Sequence, residues 1–387
     1  MEQTSTRAWV EIYLDVLEDN TRKLRRELAD GVLIMAVIKS DAYGHGARVV
    51  AQELERVGVD CFGLATLNEC LELRTAGVTK PIVLLGYLHP AEYAKAITND
   101  ITLTVYSLDQ AKNISKAAES LSKSVDIHIK IDTGMMRLGF LAGEEDIAAQ
   151  ACSLPYINAV GAFSHFSEAN SHDKSFTNEQ LHRFEKFITA LQEMGISIPL
   201  KHIANSPGVM HGGFEQDLVR VAVLLFGVSS FPGETMEEYG YSMTIAVKSR
   251  VSMVKTVPSG TPVGYGRTYH TTKQTKIATI AFGYADGYTL ANSNRGEVLI
   301  RGKRAQVIGK VCMDQFMVDV THIDGVAEHD EVVILGKQGK DEITLPELAK
   351  NQGTIVHESL SVIGRRVPRV YIRNGKCVGI INYTQLT

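Results

Sequence analysis

Short apolar runs alternate with amphipathic stretches along the chain as far as about residue 240. The apolar runs are typical of buried strands, and they lie at residues 32–38, 61–65, 82–86, 101–105, 125–131, 158–164, 201–204 and 218–227. Amphipathic stretches that predict helices lie at residues 13–29, 47–57, 67–76, 107–121 and 179–194. Strands that alternate with helices indicate parallel βαβ units, and about eight of them favour a closed (β/α)8 TIM barrel over an open doubly wound sheet.

Beyond this region the pattern changes to short strands separated by turn-forming pairs such as Gly-Lys, Asp-Gly and Asn-Gly. The strand-like runs lie at residues 242–251, 276–282, 297–301, 313–320 and 331–335, and one helix is expected at 345–352. We therefore predict an α/β chain, with a (β/α)8 barrel over residues 1–238 and a mainly β C-terminal domain over residues 239–387.

Composition and charge narrow the classes of partner. The 387 residues carry a net charge of −4 without a block of Lys and Arg, which argues against nucleic acid. No apolar stretch approaches the roughly 18 residues of a membrane span, and the N-terminus has no secretory signal pattern. The five cysteines are scattered and unpaired in sequence, so we expect a reducing cytoplasm. Metal-ligand spacings such as His-Glu-x-x-His are absent, and no metal site is expected.

Chemically active side chains recur where the predicted barrel strands end, which is where such barrels carry their active sites. They are Lys39 and Tyr43 at strand 1, Lys130, Asp132 and Arg137 at strand 5, His165 at strand 6, Asn205 and Ser206 at strand 7, and Arg220 on strand 8. Each has an ordinary structural explanation alone, as a packed histidine, a helix cap or an ion-pair partner. Together they suit pyridoxal 5′-phosphate, with Lys39 as the Schiff-base lysine and a phosphate site after strands 7 and 8.

A series of motifs extends along nearly the whole chain. They occupy residues 9–12, 37–46, 132–135, 202–206, 217–220, 263–267, 283–288, 293–296, 311–315 and 366–371. The segment 37–46, Val-Ile-Lys-Ser-Asp-Ala-Tyr-Gly-His-Gly, resembles the lysine-bearing signature of the alanine racemases. These are pyridoxal-phosphate enzymes built from a barrel and a β-domain.

The resemblance implies a racemase that interconverts L- and D-alanine with two bases in a shared-site homodimer. Lys39 would hold the cofactor and act as one base, and Tyr265 of the second subunit would be the other. Arg220 would donate to the pyridine nitrogen, and because a guanidinium keeps its proton, reprotonation at Cα is favoured over transamination. Further implied cofactor contacts are Tyr43, His165, Asn205, Ser206, Ala222, Val223 and His357. Implied substrate contacts are Arg137, Met313, Asp314 and Tyr284, and Lys130 would be carbamylated and steady Arg137.

The chain departs from the family pattern at four places: Met136, Val221-Ala222, Thr289-Leu290 and His357, which stands where the family has Tyr. The last leaves a serine racemase, or one with broader specificity for small amino acids, as an alternative substrate class. A non-catalytic pyridoxal-phosphate carrier is a second alternative, but it needs neither Tyr265 nor Met313. A barrel-type decarboxylase is a third, and its active-site cysteine motif is absent.

Overall fold

The computed structural model describes residues 6–210, 212–229, 231 and 236–383. The chain divides into two compact units, taken over these described residues. The barrel unit contains residues 18–42 and 47–241, and the β unit contains residues 6–17, 43–46 and 242–383. The barrel unit ends at residue 241, close to the domain boundary predicted after residue 238. The N-terminal segment differs from the prediction, because strand β1 (Ala8–Tyr13) pairs with strands of the β unit.

The barrel unit is built on eight parallel strands, as the sequence predicted. They are β2 (Leu33–Val37), β3 (Cys61–Leu64), β4 (Ile82–Leu84), β5 (Ile101–Val105), β6 (Val125–Lys130), β7 (Ile157–Phe163), β8 (Leu200–His202) and β9 (Leu218–Val221). Neighbouring strands pair in this order, and β9 pairs with β2. The remaining gap between β8 and β9 is bridged by backbone hydrogen bonds from Asp217 N to Lys201 O (3.1 Å) and from Arg220 N to Ala204 O (3.0 Å). The sheet therefore forms a nearly closed barrel.

The predicted last strand is longer than the observed one. Strand β9 ends at Val221, and the apolar residues after it form consecutive turns. The backbone N–H groups of Leu225, Phe226 and Gly227 each donate to the carbonyl three residues earlier. These turns are buried, so their hydrophobicity resembled that of a buried strand.

Helices flank the strands at the expected places. They are α1 (Leu14–Glu27), α2 (Ala47–Val57), α3 (Leu67–Thr75), α4 (Tyr93–Thr98), α5 (Leu108–Ser120), α6 (Glu145–Cys152), α7 (Ser175–Glu193) and α8 (Ser206–Met210). The starts of α3 and α5 follow ordinary capping chemistry, with Thr66 and Ser107 as the N-cap residues. Thr66 accepts from the backbone N–H of Glu69 while the Glu69 carboxylate accepts from that of Thr66, which forms a capping box for α3.

The segment between β2 and α2 has an unusual backbone. Ser40, Asp41, Ala42 and Tyr43 all lie in the left-handed region, with φ between 52° and 56°. Each such non-glycine residue costs about 1–2 kcal/mol, so the surrounding contacts must hold the turn in place. Two hydrogen bonds do so locally, from Ala42 N to Ile38 O (2.9 Å) and from Ala47 N to the Asp41 carboxylate (2.9 Å).

The β unit contains a ten-stranded sheet, which confirms the mainly β C-terminal domain. Its further strands are β10 (Ile245–Val257), β13 (Thr275–Ile280), β14 (Glu297–Ile300), β15 (Lys303–Ile308), β16 (Phe316–Asp319), β17 (Glu331–Gln338), β18 (Asp341–Ile343), β19 (Arg369–Arg373) and β20 (Lys376–Ile381), with β11 (Pro262–Val263) and β12 (Tyr269–His270) as a separate hairpin. Strand β1 lies between β10 and β19, antiparallel to the first and parallel to the second. Two helices, α9 (Leu345–Gln352) and α10 (Val356–Ser361), precede β19.

Among the described residues, no helix combines the length and the apolar character needed to cross a membrane.

Candidate active site

Lys39 stands two residues beyond β2, at the strand end where the sequence placed it. Burial of its amine, together with the positive charge of Arg137, lowers the pKa of Lys39, and the carboxylate of Glu69 opposes this shift. Glu69 also accepts a hydrogen bond from the backbone N–H of Ser40 (2.6 Å). The carboxylate of the α3 capping box thus fixes the chain immediately after Lys39.

Arg220 is almost completely buried in the barrel, and its two terminal nitrogens are fully used by the protein. Nη1 donates to His202 Nδ1 (2.8 Å) and to the His202 carbonyl (3.1 Å). Nη2 donates to the Ser164 carbonyl (2.7 Å), His165 Nδ1 (3.0 Å) and the Ile203 carbonyl (3.1 Å). The remaining N–H, on Nε, has no acceptor within the described part of the chain. Burial lowers the pKa of Arg220 to about 9, so the group remains a cation at neutral pH.

The histidines around Arg220 have defined tautomers. Because a guanidinium only donates, Nδ1 of His165 and of His202 must accept, and each ring carries its hydrogen on Nε2. His202 Nε2 therefore donates to His128 Nδ1 (2.9 Å). Burial, reinforced by the charge of Arg220, lowers the pKa of His128 to about 4 and those of His165 and His202 well below their usual range. All three imidazoles are thus neutral at neutral pH.

Lys130 is buried near the same group of cations. Its Nζ donates to the Ile131 carbonyl (2.8 Å) and lies 5.3 Å from the centre of the Phe163 ring. Burial and the nearby charges of Arg220 and Arg137 lower its pKa to about 7, although Asp132 opposes the shift. An amine with this pKa is largely neutral just above pH 7 and is then nucleophilic.

Asp132 organises the loop that carries Arg137. One carboxylate oxygen accepts from the backbone N–H groups of Gly134, Met135 and Met136, and the other accepts from that of Arg137. Although burial opposes ionisation, these bonds lower the pKa of Asp132. The unusual Met136 has a left-handed backbone (φ 53°) and an exposed side chain.

Unpaired donors lie where the loops after β8 and β9 meet. The Ser206 hydroxyl accepts from the backbone N–H of Ala222 (3.0 Å), and Asn205 Oδ1 caps α8 by accepting from Gly208 N (3.2 Å). The hydroxyl hydrogen of Ser206 and the backbone N–H of Val223 make no hydrogen bond to any described residue. The Ala222 N–H predicted to bind the cofactor is already paired with Ser206.

In the β unit, backbone bonds bring three of the predicted substrate residues together. Tyr284 N donates to the Cys312 carbonyl and Ala285 N to that of Met313, both at 3.0 Å. The Asp314 carboxylate pairs with Arg366 (2.6 Å), which also contacts the fully buried Asp286 (3.1 Å). Tyr265 lies in a separate turn, Tyr265–Arg267, and its side chain is 72 % exposed.

The two predicted phosphate ligands of the β unit are neighbours. The rings of Tyr43 and His357 approach edge to face, with their centres 6.1 Å apart. The departure from the family pattern at His357 therefore lies directly beside Tyr43. It does not stand in a remote part of the unit.

Comparisons with known proteins agree over almost the whole chain. Models of the alanine racemase N-terminal and C-terminal domains match residues 12–230 and 244–371. The chain belongs to the alanine racemase family. Alanine racemase 1 of Caldanaerobacter subterraneus subsp. tengcongensis is 40 % identical over 379 residues, which cover 97 % of each chain.

Solved alanine racemases have the same architecture. That of Clostridium difficile 630 has a TM-score of 0.94 and 36 % identity, covering 99 % of this chain and all of its own. That of Bartonella henselae, solved with covalently bound pyridoxal phosphate, has a TM-score of 0.84 and 28 % identity, covering 95 % of this chain and 100 % of its own.

The donor set of the barrel unit fits pyridoxal 5′-phosphate, the cofactor of alanine racemases. Arg220 Nε offers a donor without a described protein acceptor, which suits a ring nitrogen, and Ser206 with Val223 offers unpaired donors that suit a phosphate. In the described residues, no group of three or more His, Cys, Asp or Glu side chains could hold a metal ion.

Sequence reasoning missed several residues that support the site. His128 interrupts the apolar strand β6 at an inward position, between Ile127 and Ile129, and this placement was the available signal. Glu69 could have been found from its capping-box spacing after Thr66. Arg369 and Asp286 lie inside recognised motifs, but each also has a partner that is distant in sequence, Gly44 for Arg369 and Arg7 for Asp286.

Proposed function

We propose that this protein interconverts L- and D-alanine with pyridoxal 5′-phosphate as cofactor. The observation that carries the proposal is Arg220, whose four terminal N–H groups are used by the protein while Nε–H is left to donate. A buried cation with one remaining donor needs an acceptor that is not part of the described chain, and a pyridine nitrogen has the right chemistry. The resemblance of the motif that contains Arg220 to the family pattern implies the same role for this residue.

Pyridoxal 5′-phosphate, when bound, withdraws electrons from the substrate and makes the proton on Cα removable. Lys39 takes and returns this proton on one face of Cα. Its lowered pKa supports the role, because a larger fraction of the amine is neutral at working pH. Tyr265 does the same on the opposite face, from the second subunit of a homodimer.

Arg220 limits side reactions. It donates a hydrogen bond to the ring nitrogen without transferring its proton, since a guanidinium does not deprotonate at physiological pH. A cofactor whose ring nitrogen stays unprotonated would supply weaker electron withdrawal, which would favour return of the proton to Cα. The neutral His202 supports this arrangement by accepting from Arg220 and donating to the neutral His128.

Lys130 is proposed to carry a carbamate. Its pKa of about 7 leaves a neutral amine available to form an N–C bond to CO2, with one proton released to solvent, and the product is an anion close to Arg137 and Arg220. Asp132 is the nearby carboxylate that opposes these positive charges, so a second anion beside them would be stabilised. Mass spectrometry of the native protein should find one added CO2, and the Lys130→Met variant should lack it.

The other proposed contacts are assigned to residues that can donate hydrogen bonds to the phosphate or to the substrate. Ser206, Val223, Tyr43 and His357 bind the phosphate, while Asn205 caps the helix that begins at Ser206. Arg137 and the backbone N–H of Met313 bind the substrate carboxylate. Tyr284 and Asp314 line the path that the substrate takes.

Incubation with one enantiomer of alanine tests the activity. Optical rotation should fall to zero without release of CO2, which also separates racemisation from decarboxylation and from simple cofactor binding. Borohydride reduction followed by peptide mapping should place the pyridoxyl group on Lys39. A label on another lysine would refute the assignment.

The homodimer is tested by mixing inactive Lys39→Ala and Tyr265→Phe subunits. In a mixed dimer one site keeps both bases and the other loses both, so activity should return toward half of the wild-type value. No recovery after proven subunit exchange would contradict a shared site. Placement in the cytoplasm is supported by the five cysteines, none of which forms a disulfide.

Serine is the second candidate substrate, and the position of His357 favours it. An imidazole replaces the family's phenol beside Tyr43 and can hydrogen-bond a substrate hydroxyl. Such a hydrogen bond shifts the preference for serine over alanine by about 1–3 kcal/mol, so alanine should remain a substrate.

A further inference from the structure

Arg369 begins β19, and its long charged side chain is fully buried. The guanidinium donates to backbone carbonyls on every side. Nε donates to Gly44 O (2.9 Å), Nη1 to Gly364 O (2.7 Å) and Val367 O (2.6 Å), and Nη2 to Ile363 O (2.9 Å). Burying a guanidinium is costly unless its N–H groups are paired, and these four carbonyls offset that cost.

The carbonyls that Arg369 binds come from two segments of the β unit. Gly44 directly follows Tyr43, at the end of the left-handed turn. Residues 363–367 follow helix α10, which carries His357. The guanidinium therefore joins the backbone next to one predicted phosphate ligand to the backbone after the other.

Gly44 also approaches the backbone of helix α10 closely, because it has no side chain. Gly44 has a φ of 79°, and a Cβ atom there would lie 2.7 Å from the Leu360 carbonyl of α10. The absence of a side chain permits this approach, and the bond from Arg369 to the Gly44 carbonyl holds it. The edge-to-face contact of Tyr43 with His357, at 6.1 Å, depends on the same approach.

We propose that Arg369 is a positioning residue for the phosphate of the cofactor. It acts through Tyr43 and His357 by fixing the distance between their backbones. This inference rests on the proposed function, in which those two side chains bind the phosphate. A lysine at this position would keep the charge but offer three N–H groups on one atom, which cannot reach four carbonyls that surround a planar fork.

The test compares binding of pyridoxal 5′-phosphate and of pyridoxal, which lacks the phosphate, to the apoprotein by absorbance titration. The variant is Arg369→Lys. Arg74→Lys is a matched control, because Arg74 of α3 also donates to four backbone carbonyls, those of Val78, Lys80, Asn99 and Asp100. Both variants lose the same kind of guanidinium contacts, but only Arg369 is connected to the proposed phosphate ligands.

Arg369→Lys should lower the affinity for pyridoxal 5′-phosphate relative to pyridoxal by about tenfold, the effect of one charged hydrogen bond. Arg74→Lys should leave this ratio within about twofold. If Arg369→Lys weakens both ligands equally, Arg369 has a general structural role and the inference is wrong. If the wild type itself does not prefer the phosphorylated ligand, the proposed phosphate site is wrong.

A second measurement needs no variant. Hydrogen exchange of the wild-type apoprotein should slow together in residues 43–46 and 363–367 when pyridoxal 5′-phosphate binds, and much less when pyridoxal binds. Protection confined to one segment would overturn the inference, even if Arg369→Lys did not fold.

Discussion

Lys130 should destabilise the folded apoprotein at neutral and acidic pH. Its pKa falls from 10.5 to about 7 on folding. One pKa unit corresponds to about 1.4 kcal/mol, so a fully protonated Lys130 costs the fold up to about 5 kcal/mol. Between these pKa values the unfolded chain binds more protons than the folded one, so the stability contributed at Lys130 rises with pH. Below pH 7 the penalty is complete.

The Lys130→Met variant removes the charge and keeps a side chain of similar length. Removing the charge should raise the free energy of unfolding at pH 6, and loss of the hydrogen bond to the Ile131 carbonyl should lower it by a smaller amount. The net expectation is a variant more stable than the wild type by about 3–4 kcal/mol at pH 6. The part of this free-energy difference that arises from titration of Lys130 should be about 3 kcal/mol smaller at pH 9.5 than at pH 6.

The assay is urea denaturation of cofactor-free protein in CO2-depleted buffer between pH 6 and 9.5, which prevents a carbamate from forming. Lys116→Met, on the exposed face of α5, is the control and should show a difference from wild type that stays flat with pH. A Lys130→Met difference that also stays flat would refute the reasoning, because Lys130 would then carry the same charge in both states.

Three further outcomes are expected. Gly161→Ala should destabilise the barrel unit by about 1–3 kcal/mol in thermal unfolding, because its Cβ would lie 2.6 Å from the His128 ring; an unchanged Tm would mean that His128 can move aside. Gly283→Ala places a Cβ 2.3 Å from the Met313 carbonyl, so KM for alanine should rise by about tenfold while cofactor affinity stays constant, and the reverse pattern would count against Met313 as a substrate contact. His357→Tyr should lower the ratio of kcat/KM for serine to that for alanine, and an unchanged ratio would move any serine activity to another residue, such as Met136.

The barrel and the positions of its chemical groups could be predicted because both depend on local patterns. Strand length and helix spacing locate the eight units, and the strand-end rule then places Lys39, Ser206 and Arg220 in one region. The sequence pattern does not give the burial of each group or the charges that surround it. That Lys130 is buried among cations, for example, depends on side chains from several strands.

The left-handed turn after Lys39 could not be predicted. Its residues are Ser, Asp, Ala and Tyr, none of which favours positive φ strongly, and a right-handed turn into the next helix was the natural expectation. The turn is held by groups such as Asp41 and Glu69, whose partners become known only in the folded structure. Backbone strain of this kind is imposed by tertiary contacts.

Strand β1 was missed for a different reason. Residues 9–12 were recognised as a motif, and their alternation of Trp and Glu with Val and Ile is typical of a strand. Periodicity cannot say which sheet a strand joins, and its position near the barrel sequence suggested the wrong domain. The partners of β1 lie in β10 and β19, far along the chain.

The central position of β1 sets the order in which the enzyme can be completed during synthesis. Val10 pairs with Arg369, about 360 residues later, so at roughly 5–20 residues per second the first strand waits about 20 to 70 s for its parallel partner. Barrel strands that follow one another in sequence emerge within about 10 s of each other at the same rate. Strand β1 is therefore paired on both edges only after β19 has emerged, and it carries Trp9, the single tryptophan of the sequence, as a natural fluorescent reporter of that step.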